Sequence, residues 1–386
     1  MIMEDNNIKL VRSEDYNYNF NKQTGLFMRW GRTPKDDPIQ APMPEILDLE
    51  ISQGKCMGKC PECYKCNGDV EETYNMSFDT FRKVFHLVAD THIVFDDKSL
   101  PIVSMLGNIK STTKAGMLEE LKLIGVRDIQ NKGLLTQIAF GLCDIGTNPD
   151  FFHMMEYCRE FGVIPNYTCH GLDMTDEYAD KTAKLAGAVA VSVHRREQAY
   201  NTIKKLTDRG MTQVNIHAIV HDKSYNQIMS LIDDIKADER LAKLNALVLL
   251  RYKPKGNGVG KFEQLSLEQY RNIINYAKDK GVSIGFDSCS APIYLAAIKG
   301  DKELEHTEVM VEPCESSLFS SYINCKGEFF ACSFCEGEKH TVWETGINVL
   351  EYTDFRSVWN HEKTTRFRNT LLGNCRNCPM FRLERE

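Results

Sequence analysis

The sequence predicts an α/β protein, a partial parallel β/α barrel with a small cysteine-rich extension at its C-terminal end. Two observations predict it. From about residue 45 to 290, short apolar strands alternate with amphipathic helices across short loops, a rhythm that implies parallel strands with helices outside. Beyond 290 the rhythm stops, and six cysteines crowd into residues 314–378. In barrels of this kind the chemistry sits at the C-terminal ends of the strands.

Residues 1–44 are polar and aromatic without a sustained period, and Pro34, Pro38, Pro42 and Pro44 predict an irregular arm. Glu45 to Ser52 reads as a buried first strand. Further strands are predicted at 137–140, 164–168, 188–193, 213–220, 246–250 and 282–286. Helical spacing runs through Phe78, Phe81, Phe85 and Val88, then Phe151, Met155 and Cys158, the latter stopping at Gly162. Three more helices carry Ala199, Ile203 and Leu206; Ile228, Ile232 and Ile235; and Leu267, Tyr270, Ile274 and Ala277. The last opens on a capping box, Ser266 with Gln269, and closes at Gly281. Residues 91–133 break the rhythm with an expected strand at Ile102–Leu106 and a helix near Lys114–Leu123, either an insertion over the barrel mouth or a further βα unit. The predicted division is thus an arm (1–44), a barrel (45–290) and an extension (291–386).

At 42% hydrophobic and 26% charged residues the composition is that of a water-soluble globular chain. No apolar run reaches the roughly 18 residues that span a bilayer, and the N-terminus lacks the pattern of a signal peptide, so the expected compartment is the cytoplasm, with no membrane partner. A formal charge of −7 argues against a nucleic-acid partner. Lys253, Lys255 and Lys261 form only a small basic group, read as a solvated loop. Fourteen cysteines in a chain without a secretion signal read as metal ligands or redox groups sooner than as disulfides.

Directly after the first strand stands Cys56-Met-Gly-Lys-Cys60-Pro-Glu-Cys63, a C-x3-C-x2-C set. Three thiolates on one tight loop can hold three irons of a cubane and leave a fourth open. The rival is a four-thiolate zinc site that recruits Cys66, but zinc sites favour pairs of cysteines separated by a spacer.

This spacing and its place after strand one resemble the radical S-adenosylmethionine (SAM) superfamily. The resemblance implies a (β/α)6 barrel and a [4Fe-4S] cluster on Cys56, Cys60 and Cys63 that binds SAM and cleaves it reductively to a 5′-deoxyadenosyl radical. It also implies a flavodoxin- or ferredoxin-type reductant. One departure is Glu62, which stands where the family usually has an aromatic; Tyr64 follows the third cysteine instead. By the same resemblance, Gly141 would let the backbone approach the cofactor and Asp144 would meet its amino group. Ser192 on the fourth strand, and Asn215 and His217 on the fifth, would reach the ribose, carboxylate or adenine; Asn215 and His217 read equally well as polar core residues.

Cys314, Cys332, Cys375 and Cys378 form C-x17-C-x42-C-x2-C, with Gly327 five residues before Cys332. This resembles the SPASM/twitch extension of many radical SAM enzymes and, in its shorter twitch form, implies one auxiliary iron–sulfur cluster, with Cys325 and Cys335 outside it. The rival pairs Cys332-x2-Cys335 with Cys375-x2-Cys378 around zinc. Residues 1–44 look too short for a cobalamin-binding or leader-peptide-binding domain. The implied function is hydrogen abstraction leading to peptide or protein modification, with the auxiliary cluster as electron acceptor. The alternative is oxidation or rearrangement of a small molecule such as a sugar, nucleoside or cofactor precursor, and a non-catalytic iron–sulfur or zinc module is a poorer fit. No side chain is assigned as catalytic; Cys169 and Cys289, at strand ends, read first as inert buried thiols.

Overall fold

The computed structural model describes residues 1–68, 70–96 and 98–381. Residues 382–386 of the predicted extension lie outside the described residues. Seven parallel strands follow one another across a single sheet: Ile46–Glu50, Gln137–Gly141, Ile164–Cys169, Val189–Ser192, Val214–Val220, Ala246–Arg251 and Ile284–Phe286. On the other side of Ile46–Glu50 lies Ser320–Ile323, also parallel, followed by the antiparallel strands Glu328–Phe330 and Ile347–Asn348. The predicted partial barrel is therefore present, and the cysteine-rich extension joins its sheet directly beside the first strand.

The period-two pattern explains how the sheet sits. In Val214–Val220 the residues Val214, Ile216, Ala218 and Val220 are buried, while Asn215, His217 and Ile219 alternate with them on the concave face. Helices Phe78–Val88, Phe151–Glu160, Asp176–Leu185, Arg196–Asp208, Tyr225–Ala237 and Leu267–Asp279 bury one face each. The capping box at Ser266 forms in both directions. Ser266→Ala is expected to destabilise the fold by about 1 kcal/mol, read as a lower urea midpoint at constant slope.

Two expectations are corrected. Within residues 1–44 the chain is not an irregular arm up to Trp30: Ile2–Glu4, Ile8–Val11, Asn17–Asn21 and Phe27–Trp30 form a four-stranded antiparallel meander. Its strand Asn-Tyr-Asn-Phe-Asn alternates polar and aromatic residues, and Tyr18 and Phe20 are fully buried by it. Lys9 is buried beneath, with Nζ donating to the carbonyls of Gly133 (2.9 Å) and Leu135 (2.8 Å). In the 91–133 segment, Ile102–Leu106 is not a strand but part of two 3-10 turns. Ile102 and Leu106 are buried but Ser104 between them is exposed, which a turn satisfies and an alternating strand, with all three on one face, does not. The helix there is Lys114–Lys122, close to its expected span, and Thr91–Val94, Ser99–Pro101 and Asp128–Asn131 add a small antiparallel sheet. Among the described residues no helix is long and apolar enough to cross a membrane.

Candidate active site

Strand Ile46–Glu50 delivers the chain to the C-terminal rim of the sheet, where Ser52–Gln53 pairs with Tyr74–Asn75. All four N-terminal cysteines ride on the loop so closed. At Gly54, with φ +119°, a Cβ would fall 2.1 Å from the Glu72 carbonyl oxygen, so only glycine lets the two arms cross. Inside the loop, Cys56 N–H donates to the Gly68 carbonyl (3.1 Å) and Cys63 N–H to that of Cys60 (3.1 Å). Gly256 approaches from the sixth strand's loop, close enough that a Cβ would lie 2.4 Å from the Cys63 carbonyl oxygen. Asn257 N–H donates to that oxygen at 2.9 Å.

Cys56, Cys60 and Cys63 line a cavity of about 520 Å³ over the concave face. Its walls come from alternate positions of successive strands: Asp48 and Glu50, Ala139 and Gly141, Thr168 and His170, Ser192 and His194, His217 and Ile219. Small residues on the second strand leave the room. Cys66, exposed, is not among the described residues that line it, and neither is any residue of 91–133. Burial pushes the Cys60 thiol up to about 12, and the charges of Cys63 and Cys56 push the same way. Cys63 is also raised, by burial first. Cys56 goes the other way, held low by the Cys143 thiol and by His170 against the effect of burial. The three thiols thus act on one another, and metal binding would have to displace protons from at least two of them.

Gly141, Ser192 and His217, predicted from the sequence, meet at this cavity; Asn215 and Asp144 are not among its lining residues. Asn215 faces the same side two residues nearer the strand's N-terminal end, where its Oδ1 accepts from Asn245 Nδ2 at 2.8 Å. Asp144 Oδ1 is engaged with the cysteine loop itself, accepting from Met57 N–H at 2.9 Å and lying 2.6 Å from His170 Nε2. Cys56, Asp144 and His170 bring their ligand atoms within 4.8 Å of one another. Burial lowers His217 to about 4, so its ring is neutral at ordinary pH, with Nδ1 3.4 Å from Thr168 Oγ1.

Glu62 turns from the cysteines toward His221 Nε2 (3.2 Å) and His194 Nδ1 (3.8 Å). Burial pushes its carboxyl up, but the His221 hydrogen bond and the His194 charge outweigh that and hold it low. It stands on the wall between the main cavity and a neighbouring pocket of about 620 Å³. The sequence alone does not single out His170, His194 and His221. The available signal was period two: His170 and His194 each lie two residues beyond an inward-facing strand residue, Thr168 and Ser192.

No protein-family model matches the chain, and no curated protein matches it by sequence. Solved structures do. SuiB of Streptococcus suis bound to its precursor peptide SuiA superposes with a TM-score of 0.62 over 95% of this chain and 90% of that one, at 13% identity. The fold is that of the radical SAM enzymes. SuiB bound to S-adenosylmethionine gives a TM-score of 0.60 at 12% identity, again over 95% and 90% of the two chains. The enzyme anSMEcpe with bound AdoMet and the Cp18Cys peptide gives 0.55 at 12% identity, over 88% of each chain.

In the extension of this radical SAM fold, Cys314 is buried and Cys332 and Cys378 are half-buried. Burial raises Cys314 to about 11, with the charges of Cys332 and Cys378 adding to it. Cys375 is exposed, in a left-handed turn at φ +50°. The sequence leaves Cys335 outside this group; in the structure its Sγ is 3.5 Å from that of Cys332, because Cys335 N–H donates to the Cys332 carbonyl and curls the pair together. Cys289 feels the charges of Cys314 and Cys332 and so belongs to the same neighbourhood. Cys325 is elsewhere, its Sγ 3.9 Å from Gln53 Oε1.

Proposed function

We propose that this chain is a radical SAM enzyme whose Cys56, Cys60 and Cys63 hold a [4Fe-4S] cluster. The observation that carries the reading is the division of the N-terminal cysteines. Three line one cavity at the C-terminal rim of a parallel sheet, while Cys66 is exposed and outside that lining. Three protein ligands suit a cubane with one open iron. When bound, the cluster and S-adenosylmethionine supply a 5′-deoxyadenosyl radical that takes a hydrogen atom from substrate.

The chain's own residues do the rest. Asp144 fixes the Cys56–Met57 backbone. Gly141, whose added Cβ would stand 3.4 Å from Glu50 Cα, keeps the rim narrow and open to close approach. Ser192 and neutral His217 offer hydrogen bonds to a ribose, since hydroxyls buried without partners would cost roughly 1–3 kcal/mol each. Cys314, Cys332 and Cys378 hold an auxiliary iron–sulfur cluster, with Cys375 or the neighbouring Cys335 completing four thiolates; its role is to accept an electron. A flavodoxin- or ferredoxin-type protein is the reductant. The substrate is a peptide, a reading supported by the precursor-peptide and peptide complexes of SuiB and anSMEcpe.

The test is direct. Anaerobically reconstituted protein with dithionite and S-adenosylmethionine is expected to form 5′-deoxyadenosine and methionine; their absence, with iron and sulfide bound, would refute the reading. Peptides encoded beside the gene, followed by mass spectrometry for loss of hydrogen, test the substrate class.

A further inference from the structure

The residues just after Cys63 are docked on the residues just after Cys332. Tyr64 stacks on Phe334 with ring centroids 4.2 Å apart, and Phe334 lies between Cys332 and Cys335. Beside it Lys65, its side chain 9% exposed, reaches Glu336 of the extension and pairs with Glu50 of the first strand at 3.0 Å. Tyr322 Oη donates to Glu336 Oε2 at 2.8 Å and Asn324 Nδ2 to Oε1 at 2.9 Å, so the Glu336 carboxylate is held from three sides. Lys255 clamps the same segment, with Nζ donating to the carbonyl of Phe334 at 2.9 Å and to Glu338 Oε1 at 2.7 Å. Lys65 also lines the cavity that Cys56, Cys60 and Cys63 share.

We propose that Lys65 is a positioning residue through which the Cys332–Cys335 loop sets the reduction potential of the cluster on Cys56, Cys60 and Cys63. The inference rests on the radical SAM reading. Lys65 and Glu50 line the cavity, and the one Lys65 ammonium faces two carboxylates, Glu50 and Glu336. In such a low-dielectric setting one unit of charge acts on a cluster over several ångströms with little screening. Positive charge nearby favours the reduced, more negative state of the cluster, so the ammonium raises the potential and Glu336 lowers it. Because Glu336 is carried by the extension, the placement of that loop is transmitted to the N-terminal cluster as an electrostatic effect.

The test is a redox titration followed by electron paramagnetic resonance on the reconstituted full-length protein. The signal that changes on adding S-adenosylmethionine identifies the N-terminal cluster. Lys65→Met is expected to move its midpoint to more negative potential, Lys65→Arg to leave it near the wild-type value, and Glu336→Gln to move it the opposite way. Equal shifts in the Met and Arg variants would show that packing rather than charge matters and would overturn the assignment. So would midpoints unchanged in all three variants, with the S-adenosylmethionine response intact. If Lys65→Met does not load iron, the sign of the Glu336→Gln shift decides alone. A wild-type protein with no responsive signal would refute the radical SAM reading itself, a result distinguishable from the others.

Discussion

Cys60→Ala is expected to reduce 5′-deoxyadenosine formation to the level of a control without enzyme, and Cys66→Ala to leave most of it. Cys60 lies in the middle of the loop, in the cavity, where burial and both neighbouring thiols act on it. Removing it leaves Cys56 and Cys63, and two thiolates are too few to hold a cubane with one open iron. Cys56→Ala and Cys63→Ala should behave alike, with iron content and visible absorbance falling together with turnover. Cys66 is exposed and lies outside the cavity lining. An inactive Cys66 variant alongside an active Cys60 variant would reverse the ligand assignment.

Arg29→Met is expected to cost about 3–5 kcal/mol of stability, the range for removing one partner of a buried ionic group. The Arg29 side chain, 10% exposed, joins the N-terminal meander to both the barrel and the extension. Its guanidinium meets Glu45 at 3.2 Å, Glu312 at 3.3 Å and Glu315 at 3.5 Å, and stacks 3.6 Å over the Phe319 ring. Burial already pushes Glu315 to about 7, with Glu312 adding to it and Arg29 opposing. Glu45 is raised well above the ordinary range, by burial first and then by the Glu315 and Glu312 charges. The sign follows from proton linkage. A carboxyl whose folded pKa lies above its unfolded value contributes stability below the unfolded pKa and loses it as pH rises through the folded one. Without the guanidinium the folded value of Glu315 rises further, so the variant's deficit should be larger at about pH 8 than at about pH 6. Urea unfolding of variant and wild type at both pH values measures this, and a deficit independent of pH would place the loss in the packing on Phe319 instead.

Much of the scaffold is legible locally because its signals are local. Period-two strands, helical spacing and the Ser266 capping box each depend on residues within a few positions, and the corresponding elements form close to their expected bounds. The meander at residues 2–30 was hidden because its alternating aromatics are diluted by asparagines, which are poor strand formers. Ile102–Leu106 misled for the converse reason, since a short apolar run does not distinguish a strand from a turn.

By itself the sequence determined the fold class and the candidate metal loop, since C-x3-C-x2-C places three thiols on one short stretch of backbone whatever surrounds it. Only the tertiary structure decided which side chains face those thiols. Asp144 meets Met57 from 87 positions away, Lys65 reaches Glu336 across 271, and Arg29 reaches Glu312 across 283. Contacts at such separations follow from strand order and sheet register, and no local propensity encodes them. The same holds for Asn215 and His217. They share a face by period, but their height along the strand separates them: His217 lines the cavity, and Asn215 lies two residues below, bonded to Asn245.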